Sequence, residues 1–366
     1  MKAQAALVES AGGPFVIKDV TIADPKPDEI LVRITATGIC HTDLTTKSVW
    51  PDVLAPMVFG HEGAGVVEAV GKAVTSVAVG DHVSLSYRSC GSCPQCDDHA
   101  AAYCTRFQQL NVSGGRGDGT SALTDIADQP IFSGFFGQSS FATYAIAYET
   151  NTVKVPADLP AAVAAPLGCS VQTGAGTIFN VLAPGAGDSF ALFGAGAVGL
   201  AAVMAAAAVG ANPIVVVDPI TERRAIAQDL GATHVLDPTT IEDVPAAIRE
   251  ITGGGAHTAL DTTAIPAVIN QAIGALRPKA TCALVGIGAP ELTINASLVI
   301  SAGISIRGVI EGDAAPREFV PRLVELYNEG KLPIEKLITE YKFAEIDVAA
   351  TDAAAGKAIK PILTFT

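Results

Sequence analysis

The chain has 366 residues, 49% hydrophobic and 16% charged, with a formal net charge of −14. This is a folded globular composition, too long for one compact core, so two domains are expected. The negative charge argues against nucleic-acid backbones and anionic membranes as partners. The opening Met1-Lys2-Ala3-Gln4-Ala5-Ala6 lacks the apolar core of a signal peptide. The seven cysteines then read as reduced thiols in a cytoplasmic protein, either metal ligands or core residues.

Short apolar runs broken by Pro and Gly fill the first third. Phe15-Val16-Ile17, Ile30 to Ile34, Val66 to Val70 and His82 to Leu85 are expected strands, which makes this part mostly β. Within it, Gly60-His61-Glu62-Gly63-Ala64-Gly65 sets an imidazole beside a carboxylate among glycines, and Cys40 lies upstream, followed by His41, Thr42 and Asp43. Cys169 is far downstream. Two thiolates and one imidazole suit a tetrahedral zinc whose fourth position stays open. Taken singly, each of the three is an ordinary turn histidine or buried cysteine.

Cys90, Cys93, Cys96 and Cys104 follow as C-x2-C-x2-C-x7-C. Four thiolates close a tetrahedron, as in a structural zinc, and iron–sulfur ligation uses the same residue type. Residues 105–140 are polar and Gly-rich, a surface loop with no evident chemistry. Pro160 to Gly176 is expected to be helical and to carry Cys169.

From Ser189 to Val217 the chain carries no charge and is long enough to span a bilayer. It opens, however, as a strand, Ser189 to Phe193, running into Gly194-Ala195-Gly196-Ala197-Val198-Gly199 and an Ala-rich helix. A second strand, Ile214 to Val217, ends at Asp218. This is G-x-G-x-x-G in strand–turn–helix–strand context, the mark of a dinucleotide whose pyrophosphate rests on a helix N-terminus. Asp218 is placed to accept hydrogen bonds from the adenosine ribose, favouring NAD over NADP, while Arg223 and Arg224 lie close enough to temper that preference. Further strand–helix alternation to about residue 310 predicts a doubly wound parallel sheet. Cys282 falls in a strand and reads as core; His234 and His257 have no evident partners.

Together these motifs resemble the zinc-dependent medium-chain alcohol dehydrogenases along nearly the whole chain. Ser139 to Ala145, Gly174-Ala175-Gly176 and Gly308 to Gly312 point within that family to the aryl-alcohol dehydrogenases. The resemblance implies an α/β chain. A GroES-like, mostly-β catalytic domain would span 1–170 and be completed by 311–366, with a Rossmann NAD-binding domain at 171–310. It implies catalytic zinc on Cys40, His61 and Cys169, with Glu62 able to approach it, and structural zinc on Cys90, Cys93, Cys96 and Cys104. Thr42 would take the substrate proton, and Asp43 would support the metal site. His41 and Lys360 would face the NAD pyrophosphate, with Thr173 at the nicotinamide. Gly194, Gly196, Val198, Gly199, Asp218 and Arg223 complete the cofactor set. Thr45 stands where many relatives place a relay histidine. Trp50 either lines the pocket or anchors a loop.

The implied activity is reversible oxidation of a primary, benzyl-type alcohol to its aldehyde, with hydride transfer to NAD. Aliphatic or allylic terpenoid alcohols are the alternative substrates. The implied assembly is a homodimer or homotetramer. A zinc-free quinone reductase or a non-enzymatic protein on this fold would not need both intact ligand sets.

Overall fold

The computed structural model describes residues 1–365, in two compact units. One comprises Met1–Cys169, Ala315–Val324 and Ile338–Thr366; the other comprises Ser170–Ala314 and Glu325–Leu337.

The first unit is built around the strand Glu29–Gly38, in which Ile30, Val32 and Ile34 are buried. It pairs antiparallel with Glu62–Val70, with Tyr144–Tyr148 and with Lys360–Thr364. The register decides where chemistry gathers: Gly38 lies opposite both Glu62 and Ile362. One strand end therefore brings Cys40, His61, Glu62 and Lys360 into one neighbourhood, although Lys360 comes from the far end of the chain. Gly38 permits this closeness, because a Cβ there would stand 2.0 Å from Glu62 Oε2. A second sheet, containing Lys2–Val8 and Phe15–Ile22, covers a core that includes Phe59, Phe135 and Phe141. Each such ring, fully buried, contributes about 1.5–3 kcal/mol.

The segment 105–140 is more than a surface loop. It forms a short helix, Phe107–Asn111, and a small strand pair, Leu123–Thr124 with Pro130–Ile131. Arg116 makes a buried ion pair with Glu29 (2.7 Å), whose other oxygen accepts from the Tyr148 hydroxyl at 3.2 Å.

The second unit is a six-stranded parallel sheet ordered His234–Leu236, Ile214–Val217, Phe190–Phe193, Ala256–Asp261, Leu276–Leu284, Ser305–Gly308. This is the doubly wound Rossmann order. The uncharged stretch 189–217 is strand, helix and strand of this sheet. Ala201, Ala202, Ala205 and Ala206 of the helix Ala197–Ala208 are fully buried. Among the described residues no helix is long and apolar enough to cross a membrane. Cys282 is core. His257 does have partners: its Nδ1 accepts from the Ser189 N–H at 2.9 Å and lies 2.8 Å from the Ser189 hydroxyl.

Candidate functional site

Cys40, His61, Glu62 and Cys169 bring one ligand atom each within 4.8 Å of one another. Cys40 precedes the helix His41–Val49, His61 precedes the strand Glu62–Val70, and Cys169 lies at a break. The continuous helix expected over 160–176 is interrupted. The helix Ala161–Ala164 tightens into a 3₁₀ turn, Ala165–Gly168, and Cys169 has φ −143° and ψ −85° before helix resumes at Ser170. Pro166 has no N–H to continue the ladder, and the break turns the thiol toward His61.

The histidine is held from behind. Asp43, fully buried, sits with Oδ1 2.8 Å from His61 Nδ1. The same oxygen accepts the Gly60 N–H (3.1 Å), and Oδ2 accepts the Cys40 N–H (3.0 Å). Asp43 thus fixes the ring by its Nδ1, and Nε2, the nitrogen left for a metal, lies 3.2 Å from Cys169 Sγ. Burial disfavours a charged His61, but Asp43 and Cys40 together outweigh it and raise the imidazole pKa well above 6.5. Cys40 lies well below the usual thiol value: the hydrogen bond with Cys169 lowers it most, against burial, and His61 adds to the effect.

Tetrahedral zinc with one nitrogen and one sulfur ligand holds them about 3.6 Å apart. The Nε2–Sγ distance lies within a few tenths of an ångström of that, and the donor types match, so the residues fit a zinc ion. Glu62 faces a different partner. Lys360 Nζ donates to both its carboxylate oxygens at 2.9 and 2.8 Å, and to the Ile39 carbonyl at 3.3 Å. Burial raises the Glu62 pKa, and Lys360 opposes that rise. Lys360, expected against a pyrophosphate, is buried and committed to this ion pair. Thr42 is half-buried in the first turn after Cys40, its hydroxyl 3.7 Å from the Cys40 sulfur; His41 beside it is exposed.

The four-cysteine lobe fits a second ion. Sulfurs about 2.3 Å from one tetrahedral centre stand about 3.8 Å apart. The recorded separations are 3.5 Å (Cys93–Cys96), 3.9 Å (Cys90–Cys96) and 4.0 Å (Cys93–Cys104). The Cys90 and Arg106 N–H groups point at Cys104 Sγ, at 3.3 and 3.4 Å. Burial pushes the Cys104 thiol up to about 12, and these two donors oppose that rise.

In the second unit, the strand Phe190–Phe193 turns at Gly194 (φ 95°) into the helix Ala197–Ala208. A Cβ on Gly196 would meet nothing within 4 Å, so the space before this helix N-terminus is open to a ligand. A Cβ on Gly199 would stand 2.1 Å from the Gly194 carbonyl. Asp218 is buried, accepting the Ala195 and Ile220 N–H groups at 2.8 Å each. It therefore fixes the glycine loop. Arg224 donates to the Asp218 carbonyl and pairs with Asp237; Arg223 Nε is buried without a partner among the described residues. Thr173 lies in the helix Ser170–Gly176, its hydroxyl 3.4 Å from Glu311 Oε2.

Three residues at these sites escaped the sequence reading. Gln138 donates to the His61 and Ser86 carbonyls (2.9 and 3.0 Å) and accepts the Gly63 N–H at 3.0 Å. The Phe136 ring lies 4.6 Å from the His61 ring at a 32° tilt, on a residue with φ 50°. Glu311 is the third. Gln138 adjoins the segment Ser139 to Ala145, but nothing in its spacing signals a contact with His61. Trp50 is an anchor: its Nε1 donates to the Leu54 carbonyl at 2.8 Å, and its ring packs on Phe59.

Comparison with known proteins agrees with both units. Residues 26–157 match the alcohol dehydrogenase GroES-like domain, and residues 197–329 match the zinc-binding dehydrogenase domain. The chain is 47% identical to a geraniol dehydrogenase of Castellaniella defragrans, over 100% of this chain and 98% of that one. It is 34% identical to a class-3 alcohol dehydrogenase of Cereibacter sphaeroides, over the full length of both. Among solved structures, the benzyl alcohol dehydrogenase of Acinetobacter calcoaceticus superposes with a TM-score of 0.96 at 42% identity, covering both chains completely. With an intact zinc donor set in one unit and a dinucleotide fold in the other, the chain belongs to the zinc-dependent medium-chain alcohol dehydrogenases, NAD-linked oxidoreductases that carry a catalytic and a structural zinc.

Proposed function

We propose that the protein oxidises a primary alcohol whose carbinol carbon is attached to an sp² carbon, benzylic or allylic, to the aldehyde, reversibly and with NAD. The observation that carries this is the Cys40–His61–Cys169 donor set with the Thr42 hydroxyl beside it. Zinc supplies Lewis acidity at the alcohol oxygen, and NAD supplies the hydride acceptor. Cys40, His61 and Cys169 hold the metal, and Asp43 fixes the His61 tautomer. Glu62 is held back by Lys360 and can approach the metal only by leaving that ion pair. Thr42 accepts the hydroxyl proton of the bound alcohol by hydrogen bond. Cys90, Cys93, Cys96 and Cys104 hold the structural zinc.

For the cofactor, Gly194 makes the turn, and the N–H that follows Gly196, with those of Val198 and Gly199 in the first helical turn, receives the pyrophosphate. Asp218 takes the adenosine ribose, and its charge disfavours a 2′-phosphate. His41, exposed at the start of its helix, and Arg223 are the cationic groups assigned to the cofactor phosphates, and Thr173 is assigned to the nicotinamide.

Two substrate readings share the sp² neighbour. Similarity to the geraniol dehydrogenase favours an allylic terpenoid alcohol, and similarity to the benzyl alcohol dehydrogenase favours an aromatic one. The Phe136 ring beside His61 supports flat unsaturated substrates in both readings. The cysteine ligands call for a reducing compartment, which supports a cytoplasmic location. The open edge strand Ser305–Gly308 supports pairing into a homodimer or homotetramer. A panel of benzyl alcohol, geraniol and ethanol, each assayed with NAD and with NADP, tests the reading. Either unsaturated alcohol should exceed ethanol in kcat/KM by at least about tenfold with NAD. Ethanol as the best substrate would refute the substrate class.

A further inference from the structure

The segment that leaves the last strand of the parallel sheet is strained. Glu311, Gly312 and Asp313 all have left-handed backbones, with φ of 52°, 68° and 50°. Two of the three lack glycine's freedom to adopt it. Such conformations persist where surrounding contacts over-determine them, and they cluster at ligand clamps and active sites.

The helix Ser170–Gly176 supplies those contacts. A Cβ on Gly312 would stand 2.4 Å from the Gln172 carbonyl and 2.8 Å from Gly176 Cα, so the turn is pressed onto the helix backbone. Asn180 Nδ2 donates to the Gly312 carbonyl at 3.0 Å, and Arg307 pairs with Asp313. The result is an inward-facing carboxylate. Glu311 is 8% exposed, and its Oε2 accepts from Gln172 Nε2 at 3.0 Å and from the Thr173 hydroxyl at 3.4 Å.

Position makes this acid informative. The same helix crosses the first turn of the dinucleotide-binding helix at Gly174, where a Cβ would stand 2.0 Å from the Val198 carbonyl. Thr173 is therefore one residue from that crossing. Glu311 follows the strand Ser305–Gly308 at the carboxyl edge of the sheet. A dinucleotide lies across the carboxyl edge of such a sheet, one nucleotide over each half. Asp218 ends a strand of the half that takes the adenosine, and Glu311 belongs to the other half.

We propose that Glu311 is a cofactor-binding residue that sets the relative affinity for oxidised and reduced cofactor. This rests on the NAD reading above. The oxidised nicotinamide ring carries a positive charge and the reduced ring is neutral, so a buried carboxylate on that side favours the oxidised form. The strained turn holds the carboxylate there, and Gln172 and Thr173 fix its direction.

The test is the dissociation constant of NAD⁺ and of NADH for the intact zinc-loaded protein, by calorimetry and fluorescence. Glu311→Gln keeps the shape and removes the charge. It should weaken NAD⁺ about tenfold while leaving NADH within about twofold. Thr173→Val, which keeps the charge, should change both forms by the same factor. Equal effects of Glu311→Gln on the two forms, or none, would overturn the proposal while leaving NAD binding intact. A parent protein that binds neither form would instead overturn the NAD reading and this inference with it. If thermal unfolding shows that Glu311→Gln does not fold, Glu311→Asp, which draws the charge back by one methylene, must shift the ratio in the same direction. An unchanged ratio there also overturns the proposal.

Discussion

The four-cysteine lobe and the Cys40–His61–Cys169 site use similar ligands but are made differently. The lobe takes all its donors from residues 90–104, and its own backbone N–H groups serve the sulfurs. The assembled site takes Cys40, His61 and Cys169 from three separate segments and depends on Asp43, Gln138 and strand register to bring them together. A closed local set serves folding, because ordering that stretch and binding the ion are one event. A dispersed set is prepared by the fold and leaves a position free for chemistry.

The sharpest way to break the comparison is one ligand from each site. Cys169→Ser should lower turnover by at least about a thousandfold, as expected when the Lewis acid is lost, while the unfolding temperature stays near that of the parent. Cys96→Ser should do the reverse in kind, costing soluble yield and unfolding temperature, because it removes metal-linked folding energy. Thermal unfolding alongside steady-state kinetics reads both.

Lys360 comes next. Replacing it with Met leaves Glu62 buried without its cation and should destabilise the protein by about 3–5 kcal/mol, measured by denaturant unfolding. The double variant Lys360→Met, Glu62→Leu should recover most of that loss. A single variant as stable as the parent would remove Lys360 from the support of this site.

Asp43→Asn keeps the shape but weakens the hold on His61 Nδ1. Loss of about 10–100-fold in zinc affinity, or in kcat/KM, is expected. A smaller effect concerns cofactor choice: Asp218→Ala should narrow the preference for NAD over NADP by about tenfold. Equal use of the two cofactors by the parent would refute the role given to Asp218.

A pH series probes the assembled site. In the metal-free protein the His61 pKa is raised, so its protonated form stabilises the fold at low pH, and that contribution is lost as pH rises through the raised value. Zinc takes the neutral imidazole, so binding must displace this proton. Zinc competition against a chelator should therefore favour the assembled site more at pH 8 than at pH 6.

What the sequence disclosed follows the same division. The cysteine spacing named the lobe because its ligands are neighbours in the chain. The glycine fingerprint and Asp218 were legible because strand, turn and helix follow one another directly. Strand–helix alternation likewise disclosed the parallel sheet. The ion pair of Lys360 with Glu62 was not legible, because it is set by the pairing of Gly38 with both Glu62 and Ile362, a long-range register no local pattern encodes. Gln138 and Phe136 lie in a polar, Gly-rich stretch, and their roles arise only when it folds onto His61. The helix carrying Cys169 looked continuous because Ala-rich sequence favours helix throughout, and the break at Cys169 comes from tertiary placement.

The central claim is that two separate donor sets each hold one metal ion, and native mass spectrometry of the intact protein tests it most directly. Two zinc ions per chain are expected in the parent and one in Cys169→Ser, the remaining ion resisting a chelator that strips the first from the parent. A single zinc in the parent that survives in Cys169→Ser would contradict it.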